Sequence, residues 1–407
     1  MVNIAIMGHG VVGSGVAEIL INNREIITKN ANEEICIKHI LDLRDFEGLS
    51  YSDLFTKNFE DILGDDSVKV VAEVMGGINP AYTFVKSCLE AGKSVVTSNK
   101  ELVAAKGAEL LKIAKENNVY FLFEASVGGG IPILRPIAQC LAANEITEIF
   151  GILNGTTNFI LTKMICDNLT FESALKLAQD LGYAERNPDA DVLGHDACRK
   201  ICILASLAFG KHVYPENVST NGITEITLED VDYADKLGYV IKLIGHTAKL
   251  QNGKIAATVY PALVCKDNML AGVKDVYNAV MVRGNAVEDT LFYGRGAGKL
   301  PTASAVVADI IDCVKHLSAR KYLFWEDSTE NFIEEKQNLI TKLYVKLKDS
   351  DEKTVESVKN TFADVQLLFN KVANEVVFIT NEGVEKELLE KISSIKNCVV
   401  DAVINFI

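Results

Sequence analysis

The stretch VNIAIMGHGVVGSGV, residues 2–16, limits what this chain can fold into more than any other part of it. A run of strand-forming apolar residues passes directly into a GxGxxG turn, Gly8, Gly10 and Gly13, that opens a helix. Each position has a physical task. Gly8 permits the tight turn, Gly10 lacks the Cβ that would block a pyrophosphate, and Gly13 lets helix and strand close up. The helix N-terminus, through Val11, Val12 and Gly13, offers free N–H groups and partial positive charge to phosphate. Further strand patterns follow at 35–41, 68–74, 94–97 and 119–123, separated by amphipathic stretches. Two of these read plainly as helices, one opened by Pro80 and closed by Gly92, the other over 101–117. Alternating strands and helices predict an α/β unit with a Rossmann-type parallel sheet over residues 1–127.

After Gly128, Gly129 and Gly130 the pattern changes to longer helical runs with strands near 148–153, 256–264 and 279–282. This predicts an α+β domain over 128–300, whose apolar stretches suit either a subunit interface or a core. The apolar helix pattern at 302–317 can pack back on the first domain, which is then completed at about 300–320. A charged stretch from about 320 to 337 precedes the order βαββαβ, a ferredoxin-like split βαβ unit over 337–407. Two or three domains is also what 407 residues lead one to expect.

With 55 acidic against 41 basic residues the formal charge is −14, a repulsive field for nucleic acid, and no basic tract offers a dock. No run of about 18 apolar residues suggests a membrane span, and the N-terminus enters a strand without a leader pattern. A cytoplasmic location is the expectation. The nine cysteines include no CxxC pair and, as at Cys36, Cys88, Cys140 and Cys313, read as small buried hydrophobes in a reducing compartment. Cys198 and Cys202, four apart on a helix pattern, have no second pair or histidine cluster to complete a metal site.

Chemistry concentrates in four places. Asp42 and Arg44, at the end of the second strand, face the ribose: the carboxylate suits NAD, the guanidinium NADP, and their spacing also suits an exposed ion pair. Asn99 and Lys100 stand at the carboxyl edge of the fourth strand, where open α/β sheets place ligands. LGYAERNPDADVLGHDACRK carries Glu185 and Asp191 on a turn-rich entry, then Asp196 and Lys200 one helical turn apart. Beyond Lys200 the helix is apolar, so this charged cluster sits at the end of a buried helix, where charges are costly and kept mainly for function. Gly294, Gly296 and Gly298 precede a further helix and suit either closure over a cofactor or a hinge.

Taken in order, GHGVVGSGV, TSNKE, FEASVGGGIPI, GILNGTTNFIL, LGYAERNPDADVLGHDACRK and GRGAGKLPTASAVVAD resemble the homoserine dehydrogenases over about residues 1–320. The resemblance implies NAD(P)-dependent interconversion of L-aspartate 4-semialdehyde and L-homoserine in threonine, methionine and isoleucine biosynthesis. It implies Lys200 as proton donor and acceptor, Asp196 as the orienting acid and Glu185 as the holder of the substrate amino group, with Asp191 beside it. Lys100 would serve both cofactor and substrate, and Gly296 and Gly298 would border the cofactor. A monovalent cation, typically sodium, would lie on carbonyl oxygens at Glu124, Val127, Gly129 and Ile131, and assembly would be a homodimer or homotetramer. The tail resembles an ACT domain, a module often used for feedback by threonine. Where such domains carry an Asp-x-Pro-Gly-type turn, KLKDSDEKTVESV has neither proline nor glycine, so a structural role stands beside amino-acid sensing. An aspartate-semialdehyde dehydrogenase would need a thiolate, and no cysteine lies in a polar glycine-rich loop. A silent nucleotide sensor is at odds with the intact lysine and acid cluster.

Overall fold

A computed structural model describes residues 1–319 and 324–407; positions 320–323, the start of the charged stretch expected from about 320, lie outside the described residues. These divide into two compact units. Met1–Ile149, Arg199–Asn217 and Asn278–Asn331 form the first, and Phe150–Cys198, Val218–Tyr277 and Phe332–Ile407 the second.

In the first unit β1 (Val2–Met7), β2 (Ile35–Leu41), β3 (Phe55–Thr56), β4 (Val68–Glu73), β5 (Ser94–Thr97) and β6 (Phe121–Leu122) make a parallel sheet in the order β3-β2-β1-β4-β5-β6. The order reverses between β1 and β4, so a crevice opens beyond their carboxyl ends. Helices α1 (Val11–Asn22), α2 (Arg24–Ala31), α3 (Glu60–Leu63), α4 (Ala81–Glu90) and α5 (Lys100–Glu116) connect the strands. β6 is shorter than the strand expected over 119–123, because Phe123 leaves the extended region and a 3-10 turn begins at Glu124.

The chain continues through β7 (Ile146–Ile152), α6 (Gly155–Asp167), α7 (Phe171–Asp180), α8 (Asp189–Val192) and α9 (His195–Phe209). Next come β8 (Ser219–Thr220), α10 (Leu228–Lys236), β9 (Tyr239–Lys249), β10 (Ile255–Cys265), β11 (Tyr277–Gly284), β12 (Glu288–Arg295) and α11 (Lys299–Lys315). β7 and α9 begin in one unit and end in the other. The start of α9 is set by Gly194, whose φ of +85° no helix continues. α11 belongs to the first unit, where Ala303, Val306 and Ile310 pack with Val16, Ala17 and Leu20 of α1. β9 was not among the expected strands, yet it pairs with β10 over eleven residues. Its Val240, Ile241, Leu243 and Ile244 satisfy helical and extended periods equally well.

The second unit ends with β13 (Ile340–Thr341), β14 (Leu343–Lys348), α12 (Glu352–Thr361), β15 (Leu367–Asn370), β16 (Glu375–Ile379), β17 (Gly383–Val384), α13 (Glu385–Ser393) and β18 (Val399–Phe406). The strand order β18-β14-β16-β15 is that of a split βαβ unit, and β10 extends it by pairing in parallel with β18. α12 needs no glycine turn: the Asp351 carboxylate takes the amides of Lys353 and Thr354, both at 2.9 Å, while Thr354 returns a contact to Asp351 in a capping box. Two of the first-turn donors of this helix are thereby used within the chain.

Among the described residues no helix is long and apolar enough to cross a membrane. All nine cysteines are free thiols. Cys88, Cys198, Cys202 and Cys313 are buried and Cys36 and Cys398 half-buried, but Cys166 and Cys265, expected inside with the rest, are exposed, and so is Cys140. It ends the short turn Pro136–Cys140, of which only Ile137 is buried.

Candidate active site

The glycine turn is built on steric necessity. A Cβ on Gly13 would lie 1.9 Å from the Gly8 carbonyl oxygen, whereas one on Gly10 would meet nothing within 4 Å. Gly13 is thus fixed by helix–strand approach, and the space over Gly10 is open on the side a phosphate would occupy. Gly8 has φ +98° and packs against Met75, just past the end of β4. The N-cap of α1 is Gly10, which makes no side-chain cap hydrogen bond, so the first-turn amides of Val11, Val12 and Gly13 are not capped by it and suit a phosphate.

Asp42, at the exit of β2, receives four donors: the amide of His9 at 2.8 Å, the amide and Nε of Arg44 at 3.0 Å each, and Arg44 Nη2 at 2.9 Å. The Arg44 guanidinium holds the Asp42 carboxyl well below the usual carboxylate range. Arg44 itself is 62% exposed along its side chain and lies 5.1 Å from the centre of the Phe46 ring. The His9 ring is buried among Phe46, Tyr51 and Phe55, and this burial lowers its pKa.

At the end of β5, Asn99 caps α5 by accepting from the Leu102 amide at 3.1 Å and donates to the Gly77 carbonyl at 2.6 Å. Lys100, half-buried, is the first residue of α5. The neighbouring Glu101 pairs with Arg199 at 3.1 Å, which brings the residue next to Lys200 against the start of α5. Lys200 is 7% exposed and Asp196, one turn earlier on α9, 4%.

Sequence reasoning passed over Glu73. This buried acid at the last rung of β4 accepts from Thr97 Oγ1 at 2.6 Å and from the Met75 amide at 2.8 Å, and so shapes the turn that meets Gly8. Burial pushes its pKa up, and these donors oppose the shift. Its only sequence signal is a lone acid closing an apolar strand ahead of two glycines.

The loop after β6 is tightly fitted. The Glu124 carboxylate is occupied by the amides of Ile133, Leu134 and Arg135 at 2.6, 2.9 and 2.7 Å. Val127 and Ile131 are buried, and a Cβ on Gly129 would fall 2.4 Å from the Gly296 oxygen. Gly296 in turn lies flat on the buried Asn278 amide, whose Cγ would be 2.1 Å from a Cβ there. Gly298 caps α11 with φ +132°. Among the described residues no group of three or more His, Cys, Asp or Glu side chains is arranged to hold a metal ion.

In the second unit one amide organises the acids. Asn154, not singled out in the sequence, donates to Asp191 at 2.6 Å and to Asp196 at 2.9 Å. Glu185 lies exposed on the turn before α8, and Thr156 donates to the neighbouring Tyr183 carbonyl at 2.7 Å.

A reversed-order parallel sheet with a glycine-rich first turn, and lysines and acids gathered near its carboxyl edge and on α9, define a dinucleotide-dependent oxidoreductase. Residues 8–124 match the family model for the NAD-binding domain of homoserine dehydrogenase, and residues 132–311 that for homoserine dehydrogenase itself. The chain belongs to the homoserine dehydrogenase family, whose NAD(P)-dependent reaction interconverts L-aspartate 4-semialdehyde and L-homoserine. It is 38% identical to the homoserine dehydrogenase of Helicobacter pylori over 97% of this chain and 95% of that one. With that of Lactococcus lactis it shares 42% over 77% and 74% of the two chains. The crystal structure of a homoserine dehydrogenase from Thiobacillus denitrificans superposes with a TM-score of 0.94 at 35% identity, covering 100% of this chain and 98% of that one. A hyperthermophilic archaeal homoserine dehydrogenase mutant in complex with NADPH covers 77% of this chain and 97% of its own, with a TM-score of 0.66 at 31% identity.

Proposed function

We propose that the chain reduces L-aspartate 4-semialdehyde with NADPH and that Lys200 delivers the proton. The observation that carries this reading is a lysine, 7% exposed, placed one turn after a buried acid on a helix that Arg199 ties to the start of α5. An ammonium held this way can both neutralise the developing alkoxide and protonate it. The bound dinucleotide supplies the hydride to the carbonyl carbon. Glu185 accepts from the substrate ammonium, Lys100 meets its carboxylate, and Asp196 and Asp191 orient it.

For the cofactor, the four donors on Asp42 fill the roughly four lone-pair directions of a carboxylate. The ribose hydroxyls of NAD would have to displace one of them, whereas the exposed Arg44 guanidinium suits the 2′-phosphate of NADP. A monovalent cation such as sodium would be held by main-chain carbonyls of Glu124, Val127, Gly129 and Ile131, since the Glu124 side chain is already taken by three amides. A threonine effector, a homodimer or homotetramer, a cytoplasmic location and the domain limits 1–127, 128–300 and 337–407 belong to the same proposal and rest on the resemblance and the sequence pattern.

The test is steady-state kinetics at the nicotinamide absorbance band. Lys200→Ala lowers kcat by about 10²-fold or more, the scale of a lost general acid, and leaves the NADPH dissociation constant nearly unchanged. A mild effect on kcat would overturn the assignment.

A further inference from the structure

We propose that Asn154 is a positioning residue for the reaction: its one carboxamide sets both Asp191 and Asp196. This rests on the reading of those acids as the substrate-orienting pair.

The amide is divided between two tasks. Its Oδ1 accepts from the Thr157 amide at 2.8 Å and from Thr157 Oγ1 at 3.0 Å, which makes Asn154 the N-cap of α6. Its Nδ2 carries two hydrogens and has two acceptors, Asp191 Oδ1 at 2.6 Å and Asp196 Oδ2 at 2.9 Å. Because the cap fixes the oxygen, the plane of the amide is fixed, and with it the two N–H directions. Two carboxylate oxygens on either side of one sp² nitrogen stand on the order of 5 Å apart. Like charges at that distance repel, and the NH₂ group between them offsets the repulsion.

The framework behind the amide is rigid. Asn154 is 5% exposed, and one turn further along α6 the side chain of Asn158 donates to the carbonyls of Val273, Asp275 and Tyr277 at 3.3, 2.9 and 3.1 Å. The helix that aims Asn154 is thus pinned to the loop 273–277. A residue serving only as a helix cap would need its oxygen and nothing more. The short contact to Asp191, 37 residues away, and the contact to Asp196, 42 away, are the part that a cap does not explain.

Two substitutions separate the roles. Asn154→Ser keeps a good cap oxygen and adds no charge, but cannot reach both acids with a donor. Asn154→Asp also keeps the cap and nearly the shape, and replaces the donor with a third carboxylate. The expected result for Asn154→Ser is a tenfold to hundredfold fall, roughly the worth of a hydrogen bond to a charged group, in kcat/KM for aspartate semialdehyde. Its melting temperature falls by only a few degrees, the cost of the donor the acids lose, and its NADPH affinity stays at the wild-type value. Asn154→Asp is expected to lose more at pH 8 and to regain part of its activity relative to wild type toward pH 6, as the introduced carboxyl gains a proton to donate. Wild-type kinetics for Asn154→Ser would overturn the proposal. So would equal losses of melting temperature, NADPH affinity and turnover in both variants, the mark of a purely structural residue. Lys200→Ala, assayed alongside, distinguishes the failures: if it too is active, the site reading falls, and if it collapses while Asn154→Ser does not, only the role of Asn154 falls.

Discussion

Lys242 gives the second unit a measurable dependence on pH. It lies on β9, 2% exposed, and donates to Asn158 Oδ1 at 3.1 Å and to the Val273 carbonyl. Burial pushes its pKa down from 10.5 to about 8. A shift of that size corresponds to about 3 kcal/mol of differential stability. The sign follows from proton counting. Below pH 8 the lysine is charged in both folded and unfolded chains, and the folded state bears the full cost of burying it. Between about pH 8 and 10.5 the unfolded chain binds a proton that the folded one lacks, so stability from this group rises with pH. Above that range the cost is gone. Lys242→Met keeps the length and removes the titration, but strips a donor from Asn158 and Val273, which costs about 1–3 kcal/mol at every pH. The two effects nearly cancel at pH 7, where wild type and variant should match to about 1–2 kcal/mol. Denaturant midpoints measured across the alkaline range should then show wild type gaining about 3 kcal/mol on the variant. All other titrating groups are common to both proteins and drop out of the difference. A difference that stays flat from pH 7.5 to 10.5 would refute the reasoning, because a hydrated lysine would behave that way.

Two further perturbations probe the first unit. Arg44→Gln should lower kcat/KM with NADPH by about tenfold or more, the effect of losing a charge-assisted contact to phosphate, and leave the value with NADH equal or higher because Asp42 regains lone pairs. Equal losses with both cofactors, or none, would remove Arg44 from the ribose site. Gly10→Ala and Gly13→Ala should separate binding from folding, since the added Cβ meets open space in one case and the Gly8 carbonyl at 1.9 Å in the other. The first should melt like wild type yet bind NADPH weakly in a fluorescence titration, and the second should lose melting temperature as well. A Gly10→Ala protein with full affinity would contradict the phosphate reading.

The features that were legible in advance are those in which a local rule and the fold agree. The run VNIAIM before GHGVVG can hardly be anything but a buried strand entering a helix, and the β18-β14-β16-β15 order follows from a βαββαβ pattern whose two central strands, β14 and β16, are buried on both faces. Errors fell where local rules permit two answers. Residues 240–244 fit both periods, so β9 was missed. Cys140 reads as apolar, but its exposure depends on where the turn Pro136–Cys140 ends rather than on its own chemistry.

The site divides along the same line. Lys200 and Asp196 could be singled out as candidates because their spacing of four puts them on one face of a single helix. Glu73, Asn154 and Lys242 could not, since each is defined by groups far along the chain: Thr97 for Glu73, Asp191 and Asp196 for Asn154, Asn158 and Val273 for Lys242. Each is also a polar residue at the edge of an apolar run or, like Lys242, inside one, which a hydrophobic pattern records only as an interruption. Burying such a group without partners costs about 1–3 kcal/mol, so wherever one of them is found buried, its donors and acceptors must converge on something. In this chain two converge around α6, with Asn154 at its cap and Asn158 one turn on, the first reaching the acids of the site and the second the buried lysine. Weakening the Asn158 clamp therefore affects more than stability, because the same helix aims the amide that orients Asp196. On that argument Lys242→Met should also raise KM for aspartate semialdehyde, and a variant unchanged in KM at neutral pH would uncouple the two ends of the helix.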